Sequence, residues 1–198
     1  MRTVDPKLHK KRKLQIVEAA SRCFLRKGFH QTSVSDICKE VGMSPGGLYR
    51  YFDSKEEIIR AASDLETEWL LDEMNKHSPG QNIVEALTKT AMSTIFAYSE
   101  PDQARFIAEI YAESARNPVI GESFIKNDKE TRKGLTQILK TEQDDGRISP
   151  IFPPDEIAQA IVALVDGYST RILLDPDFKA DQVETIIHDI IENLVRPR

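Results

Sequence analysis

No run in this chain approaches the roughly 18 apolar residues that a membrane-spanning helix needs. The basic N-terminus is not followed by an apolar segment of the kind that directs secretion. The expected location is therefore the cytoplasm. Cysteine is scarce: Cys23 and Cys38 are too few for a disulfide framework, and each sits among apolar residues at helical spacing, so both are expected to be reduced core residues. The histidines His9, His30, His77 and His188 are too scattered for metal-ligand spacing, and no metal or cofactor is expected. Alternating stretches bounded by hairpin turns are absent as well. So are a phosphate-cradling glycine loop, a Ser or Cys nucleophile constellation and a carboxylate pair of convincing geometry, which leaves an enzyme without visible machinery.

What is present is divided by charge. Residues 1–52 hold eleven Lys or Arg against four Asp or Glu, a surplus of +7, while the remainder holds 16 basic and 28 acidic residues, a deficit of −12. A basic front and an acidic back suggest that the first part meets a polyanion and the rest keeps away from it. With 198 residues, 40% of them hydrophobic, the chain can build a small module joined to a larger one.

The spacing predicts an all-helical chain of about nine helices. Ile16, Val17, Ala20, Cys23 and Phe24 recur at helical intervals over 14–27, and Gly28 supplies a left-handed stop with Phe29 folding back on Phe24. Ser33 with Asp36 forms a capping box for a short second helix that Gly42 ends. Ser44 then caps a still shorter helix with Pro45 at its first position, and Ser54 with Glu57 opens a long one reaching about Asn75. Ser78-Pro79-Gly80, Glu100-Pro101, Asn117-Pro118, residues 144–154 and Asp175-Pro176 punctuate the remainder.

The stretch VGMSPGGLYRYF at 41–52 carries a proline and three glycines, yet it opens a helix with two of those glycines in its first turn. A basic helix followed by two short ones across a glycine turn makes a three-helix unit of helix-turn-helix type, whose last helix enters the DNA major groove. With Leu48 facing the core, Phe52 lies beside it, Gly46, Gly47 and Arg50 lie opposite, and Tyr49 and Tyr51 flank that outward face. Glycines there let the backbone approach a duplex closely. Arg50 can offer two parallel donors to a guanine edge, and the tyrosine hydroxyls can donate to phosphates on either side.

The stretch GFHQTSVSDICKEVGMSPGGLYRYFDSKEEII at 28–59 resembles the DNA-binding signature of the TetR family of transcriptional regulators. The resemblance implies a helix-turn-helix domain over residues 1–53 and a variable helical effector-binding and dimerisation domain over 54–198. It implies phosphate contacts at Thr32 or Ser33, Tyr49, Tyr51 and Lys55, and base contacts within Ser44, Pro45, Gly46, Gly47 and on to Arg50. Gly47 departs from the threonine common there, so one hydroxyl contact is missing. The implied partners are double-stranded operator DNA, a second copy of the chain and a small organic effector, with no membrane.

In the rear domain, Ile157, Ile161, Leu164 and Tyr168 form one apolar stripe and Val183, Ile187, Ile190 and Leu194 another. Both are expected at a four-helix dimer interface, with Gly167 permitting close helix approach. Trp69, Met74, Met92, Phe96, Tyr98, Phe106 and Tyr111 can line an apolar effector cavity. Within ARFIAEIYAESAR, Phe106, Glu109, Ile110 and Glu113 share a stripe whose two acids either read a cationic ligand or are neutralised by Arg105 and Arg116. The leading expectation is a homodimeric, ligand-released repressor on a palindromic operator. The alternatives are an all-helical enzyme using carboxylates such as Glu109 and Glu113, which leaves the basic front unexplained, or an architectural DNA-binding protein without operator preference.

Overall fold

The computed structural model of the protein describes residues 6–76, 82–175 and 177–196. These form α1 (Pro6–Gln31), α2 (Val34–Val41), α3 (Pro45–Leu48), α4 (Lys55–Asn75), α5 (Ile83–Ser99), α6 (Pro101–Arg116), α7 (Pro118–Asp144), α8 (Pro154–Leu174) and α9 (Glu184–Val195), with a 3-10 turn at Ala180–Gln182. No strand occurs among the described residues, as expected. The breaks expected at Ser78-Pro79-Gly80 and Pro176, and His77, lie outside the described residues. Helix α8 is long and apolar enough to cross a membrane by length and composition alone, a test that the core helix of a soluble protein also passes.

The chain gathers into two compact units. The first comprises residues 1–66 and 105–124, the second 67–104 and 125–198. The boundary expected after residue 53 is therefore displaced to within α4, and 105–124 join the front unit rather than the rear one. The reason is packing: Phe106 and Ile110 of α6 and Ile120 of α7 are buried in the same apolar cluster as Phe24, Phe29 and Ile58.

Inside the front unit, local signals act as the sequence suggests. Gly28 breaks α1 at φ 76° and ψ 168°, and Phe29 packs edge-on against Phe24 at 4.9 Å between ring centroids. Ser33 and Asp36 form the reciprocal capping box of α2, and Gly42 ends that helix in the left-handed region at φ 68°. Helix α3 has four residues, far below the length at which an isolated helix is stable in water. Tertiary burial holds it: Leu48 is 0% and Phe52 3% exposed. Burying side chains of this size is worth about 1.5–3 kcal/mol each.

The rear unit has its own core, in which Leu87 and Ile95 of α5, Leu139 of α7, Ile157 of α8 and Ile187 and Ile191 of α9 are contiguous. Glu142, 2% exposed, receives two hydrogen bonds from the Arg147 guanidinium at 2.6 and 2.9 Å. Gln143 Nε2 donates to the carbonyls of Ser149 and Phe152, both at 2.8 Å. Together they fix the turn by which α7 leads into α8.

Candidate functional site

The outward face of the front unit is built from α2, α3 and the residues just beyond them. Ser33 Oγ accepts from the Asp36 amide at 3.1 Å, and Ser44 Oγ accepts from the Gly47 amide at 3.2 Å. Both hydroxyls therefore hold helix starts in place. Ser44, Pro45, Gly46, Tyr49 and Arg50 are exposed, and Gly47 and Tyr51 half-buried. His9 of α1 lies against the Tyr51 ring, 4.8 Å between centroids, which orients the tyrosine beside the face. Sequence reasoning missed this contact, because it links residues far apart along the chain.

The two glycines are the informative feature. A Cβ at Gly46 would meet nothing within 4 Å, and one at Gly47 would come only within 3.3 Å of Ser44 Oγ and 3.5 Å of Met43 Cε. Neither has positive φ, since among the described residues the positive-φ glycines are Gly28, Gly42 and Gly146. No backbone conformation and no internal packing requires glycine at 46. Each glycine nonetheless costs helix stability, about 1 kcal/mol against alanine. The bland account, in which they permit a tight helical corner, does not hold at Gly46.

Two expected phosphate contacts are corrected. Thr32 is 1% exposed, and its hydroxyl donates to the carbonyl of Gly28 at 2.7 Å. Lys55 Nζ donates to the carbonyls of Phe29 at 2.8 Å and Thr32 at 3.2 Å. Both bond to carbonyls in and just after the last turn of α1, and so brace the scaffold beneath the face.

Part of the basic surplus is also internal. Arg22 and Arg26 pair with Glu40, and Lys27 pairs with Asp36. The Lys27 hydrogen bond, then the Ser33 amide, hold the Asp36 carboxyl far below the usual carboxylate range. Hydrogen bonds from Arg26 and then Arg22 lower that of Glu40. Lys10 and Lys11 near the start of α1, with Lys39 and Arg50, remain on the exposed surface.

The second candidate site is a cavity of about 100 Å³ inside the rear unit, walled by α4, α5, α7 and α8. Met74 and Tyr98, two of the residues expected at a cavity, line it. The other expected residues do not. Trp69 and Phe96 are exposed at 41% and 45%, and Met92 is buried in the rear core. Phe106 and Ile110 belong to the front core, and Tyr111 packs edge-on against Phe124. The aromatic pattern correctly marked apolar surface, but could not say which core would absorb it.

Glu109 and Glu113 are likewise accounted for within the front unit. Glu109 Oε2 accepts from the Phe29 amide, just beyond the break at Gly28. Glu113 pairs with Arg116 at 2.5 Å and lies 3.1 Å from His30 Nε2. Burial alone would raise the Glu113 carboxyl, but the hydrogen bond and charge of Arg116, with His30, bring it below its ordinary value. These acids anchor α6 to the end of α1 rather than reading a ligand.

The expected dimer stripes divide. Ile157, Ile161, Val183 and Ile187 are no more than 5% exposed and fill the protomer's own core, so they are corrected from interface to interior. Leu164, Tyr168, Ile190 and Leu194 are half-buried. Beyond them, Ala160, Ala163 and Gly167 of α8 are exposed, as are Leu174 at 68% and Ile186 of α9 at 46%. Only 22% of the most apolar stretch of α8 is buried. His188, Asp189 and Glu192 on α9 bring three ligand-capable atoms within 4.8 Å of one another, on a partly exposed surface.

The family model described as "Bacterial regulatory proteins, tetR family" matches residues 16–62. A second, "BetI-type transcriptional repressor, C-terminal", matches 85–196. The HTH-type transcriptional regulator UidR of Escherichia coli is 32% identical over 137 residues, covering 69% of this chain and 68% of its own. Among solved structures, Salmonella enterica GusR superposes with a TM-score of 0.81 at 25% identity over 100% of both chains. FadR of Bacillus subtilis, solved in complex with stearoyl-CoA, does so with a TM-score of 0.74 at 20% identity, over 90% of this chain and 96% of its own.

Proposed function

The chain belongs to the tetR family of bacterial regulatory proteins and is a helix-turn-helix transcriptional regulator, and from that premise we propose that it is a cytoplasmic homodimeric repressor released from a palindromic operator by a small organic effector. Gly46 carries the DNA-contact assignment. A helix-weakening residue with open space around it, on the face opposite buried Leu48, makes sense when something outside the chain must approach the backbone. Arg50 beside it reads a base edge, while Tyr49, Tyr51 and the exposed lysines of α1 meet phosphates. Ser33 and Ser44 take part through the helix starts they hold.

The uncovered apolar surface of α8 and α9 supports the dimer. Ala160, Ala163, Leu164 and Gly167 recur at helical spacing along one side of α8, and Ile186 and Ile190 along α9. Small residues there allow a second copy of the helix to come close, giving an isologous four-helix contact. A lipid occupant would demand an apolar surface around the whole helix, yet the same face carries exposed Arg171.

Footprinting tests the whole reading. The expected result is a protected palindrome whose half-sites lie about 34–36 Å apart, one turn of duplex. Uniform weak protection would favour the architectural alternative, and no binding at low salt would favour an enzyme and overturn the proposal.

A further inference from the structure

We infer that His9 is a positioning residue for operator binding: its ring holds the Tyr51 side chain in the orientation from which the phenol hydroxyl meets a phosphate. This rests on the proposed reading of Tyr51 as a phosphate contact, and adds to it a residue of α1, a helix outside the helix-turn-helix pair.

Helix α1 begins well before the core it serves. It starts at Pro6, yet its first buried residue is Ile16. Residues 6–15 carry Lys7, Lys10, Lys11, Arg12 and Lys13 with no acid among them, and Asp5, just ahead, is the one acid in the sequence before Glu18. Cations at a helix N-terminus oppose the macrodipole, and like charges three or four residues apart repel. An extension of this kind draws little from the chain's own core, so its use lies in what it reaches.

It reaches the two aromatic residues that follow the recognition helix α3. His9 and Lys13 are four residues apart and so share a face of α1. The His9 ring lies 4.8 Å from that of Tyr51 between centroids, the planes tilted by 32°. Lys13 Nζ lies 4.9 Å from the Phe52 centroid. These two contacts set the rotation of α1 and bring His9 to Tyr51.

The two aromatic residues depend on α1 to different degrees. Phe52 is 3% exposed, so burial fixes its ring. Tyr51 is half-buried. Its backbone is held, since its amide donates to the Leu48 carbonyl at 2.9 Å, but that bond does not set the direction of the side chain. Among the described residues the Tyr51 hydroxyl has no hydrogen-bond partner, so the ring is placed by its contact with His9. A tyrosine already placed gives up less side-chain freedom when it meets a phosphate. The cations of α1 and the tyrosine beyond α3 are thereby tied into one phosphate-binding surface.

The test measures affinity, at several salt concentrations, for the duplex that the wild-type chain selects from a random-sequence pool. Tyr51→Phe keeps the ring and loses the hydroxyl, and is expected to weaken binding about tenfold or more, as for a hydrogen bond to a charged group. His9→Ala keeps the hydroxyl and loses the wall beside it. It should weaken binding about three- to tenfold, the effect of ordering one side chain on binding, with the salt slope unchanged. His9→Phe, which restores a ring, should bind within about twofold of wild type. Adding His9→Ala to Tyr51→Phe should weaken binding no further. His9 is not buried, so the melting curve of each His9 variant should match that of wild type, and His9→Gln, also without a ring, repeats the test should His9→Ala unfold. A loss in His9→Phe equal to that in His9→Ala, additive losses in the double variant, or a salt slope lowered by about one in His9→Ala, the mark of a cation on phosphate, would each overturn the inference. If Tyr51→Phe binds as wild type does, the phosphate reading of Tyr51 falls and the inference with it. If Tyr51→Phe weakens binding and His9→Ala does not, that reading stands and the inference alone falls.

Discussion

Replacing Gly28 by alanine should be among the most damaging single-methyl changes in the front unit, and the damage should depend on Glu109. At φ 76° and ψ 168° Gly28 occupies a region essentially reserved for glycine, and holding another residue there costs on the order of 1–3 kcal/mol. A second effect adds to it. The new Cβ would overlap Glu109 Oε1 and lie 2.8 Å from its Cδ, displacing the carboxylate that accepts from the Phe29 amide. Leaving that amide without its partner costs about 1–3 kcal/mol more. The total of roughly 2–6 kcal/mol is a large part of the 5–15 kcal/mol typical of a whole domain. Glu109→Ala loses the hydrogen bond alone, about 1–3 kcal/mol. The double variant has no carboxylate left to displace, so it should be no less stable than Gly28→Ala by itself, a coupling of about 1–3 kcal/mol in a double-mutant cycle. Urea denaturation of the four proteins, followed by circular dichroism, measures this. Additive losses, or Gly28→Ala within about 0.5 kcal/mol of wild type, would refute the reasoning.

Arg50→Ala is expected to relax base preference at one position per half-site by about 1–3 kcal/mol, whereas Lys10→Ala should weaken all sequences alike and lower the salt slope by about one; binding titrations on operator variants at several salt concentrations distinguish the two. Lys55→Ala, which removes the donor to the Phe29 and Thr32 carbonyls, should lower thermal stability while leaving that slope unchanged. Ala163→Asp should dissociate the dimer in sedimentation while the protomer stays helical by circular dichroism, whereas Ile187→Asp, at a site 0% exposed, should unfold the rear unit itself. Acid should destabilise the front unit: Asp36, Glu40 and Glu113 all have folded carboxyls below their ordinary values. Their contribution is present above the unfolded carboxylate range near pH 4 and lost as pH falls through the lowered folded values. Asp36→Asn should flatten the acid side of a stability-versus-pH curve, and an unchanged slope would contradict that assignment.

What could be read from the sequence was what depends on neighbours a few residues away. Ser33 with Asp36, Ser44 with Pro45, and Gly42 each announce a helix boundary through a local hydrogen bond or a left-handed turn, and each boundary is where the pattern puts it. The stripe of Phe106, Glu109, Ile110 and Glu113 was equally visible as facing inward. Its partner was not, because Glu109 meets an amide 80 residues away and no spacing encodes that. Thr32 and Lys55 went astray for a related reason. Their positions match a DNA-contact pattern, but the Thr32 hydroxyl and two of the three Lys55 donors go to carbonyls at the end of α1, which no spacing announces. In α8 the apolar residues run around more than one side, so the pattern marked a wide stripe without dividing it into interior and exposed surface. Burial makes that division at Ile157 and Ile161 on one side and Ala163 and Gly167 on the other.

The glycines express the same division most sharply. Gly28 is explained from within: its φ and the Glu109 carboxylate against it leave no room for a side chain. Gly46 and Gly167 are the reverse, since a Cβ at either would meet nothing within 4 Å. A residue that weakens a helix by about 1 kcal/mol, at a site where the chain has room for a methyl group, has its reason outside the chain. In the proposed function the surface that approaches Gly46 is the duplex, and the one that approaches Gly167 is the matching helix of a second copy. The discriminating pair is Gly46→Ala and Gly167→Ala. Both should hold or raise protomer stability by up to about 1 kcal/mol, the first while weakening operator binding without altering dimerisation, the second while weakening dimerisation itself. A loss of protomer stability in either variant would mean that the space around these glycines is already in use by the fold.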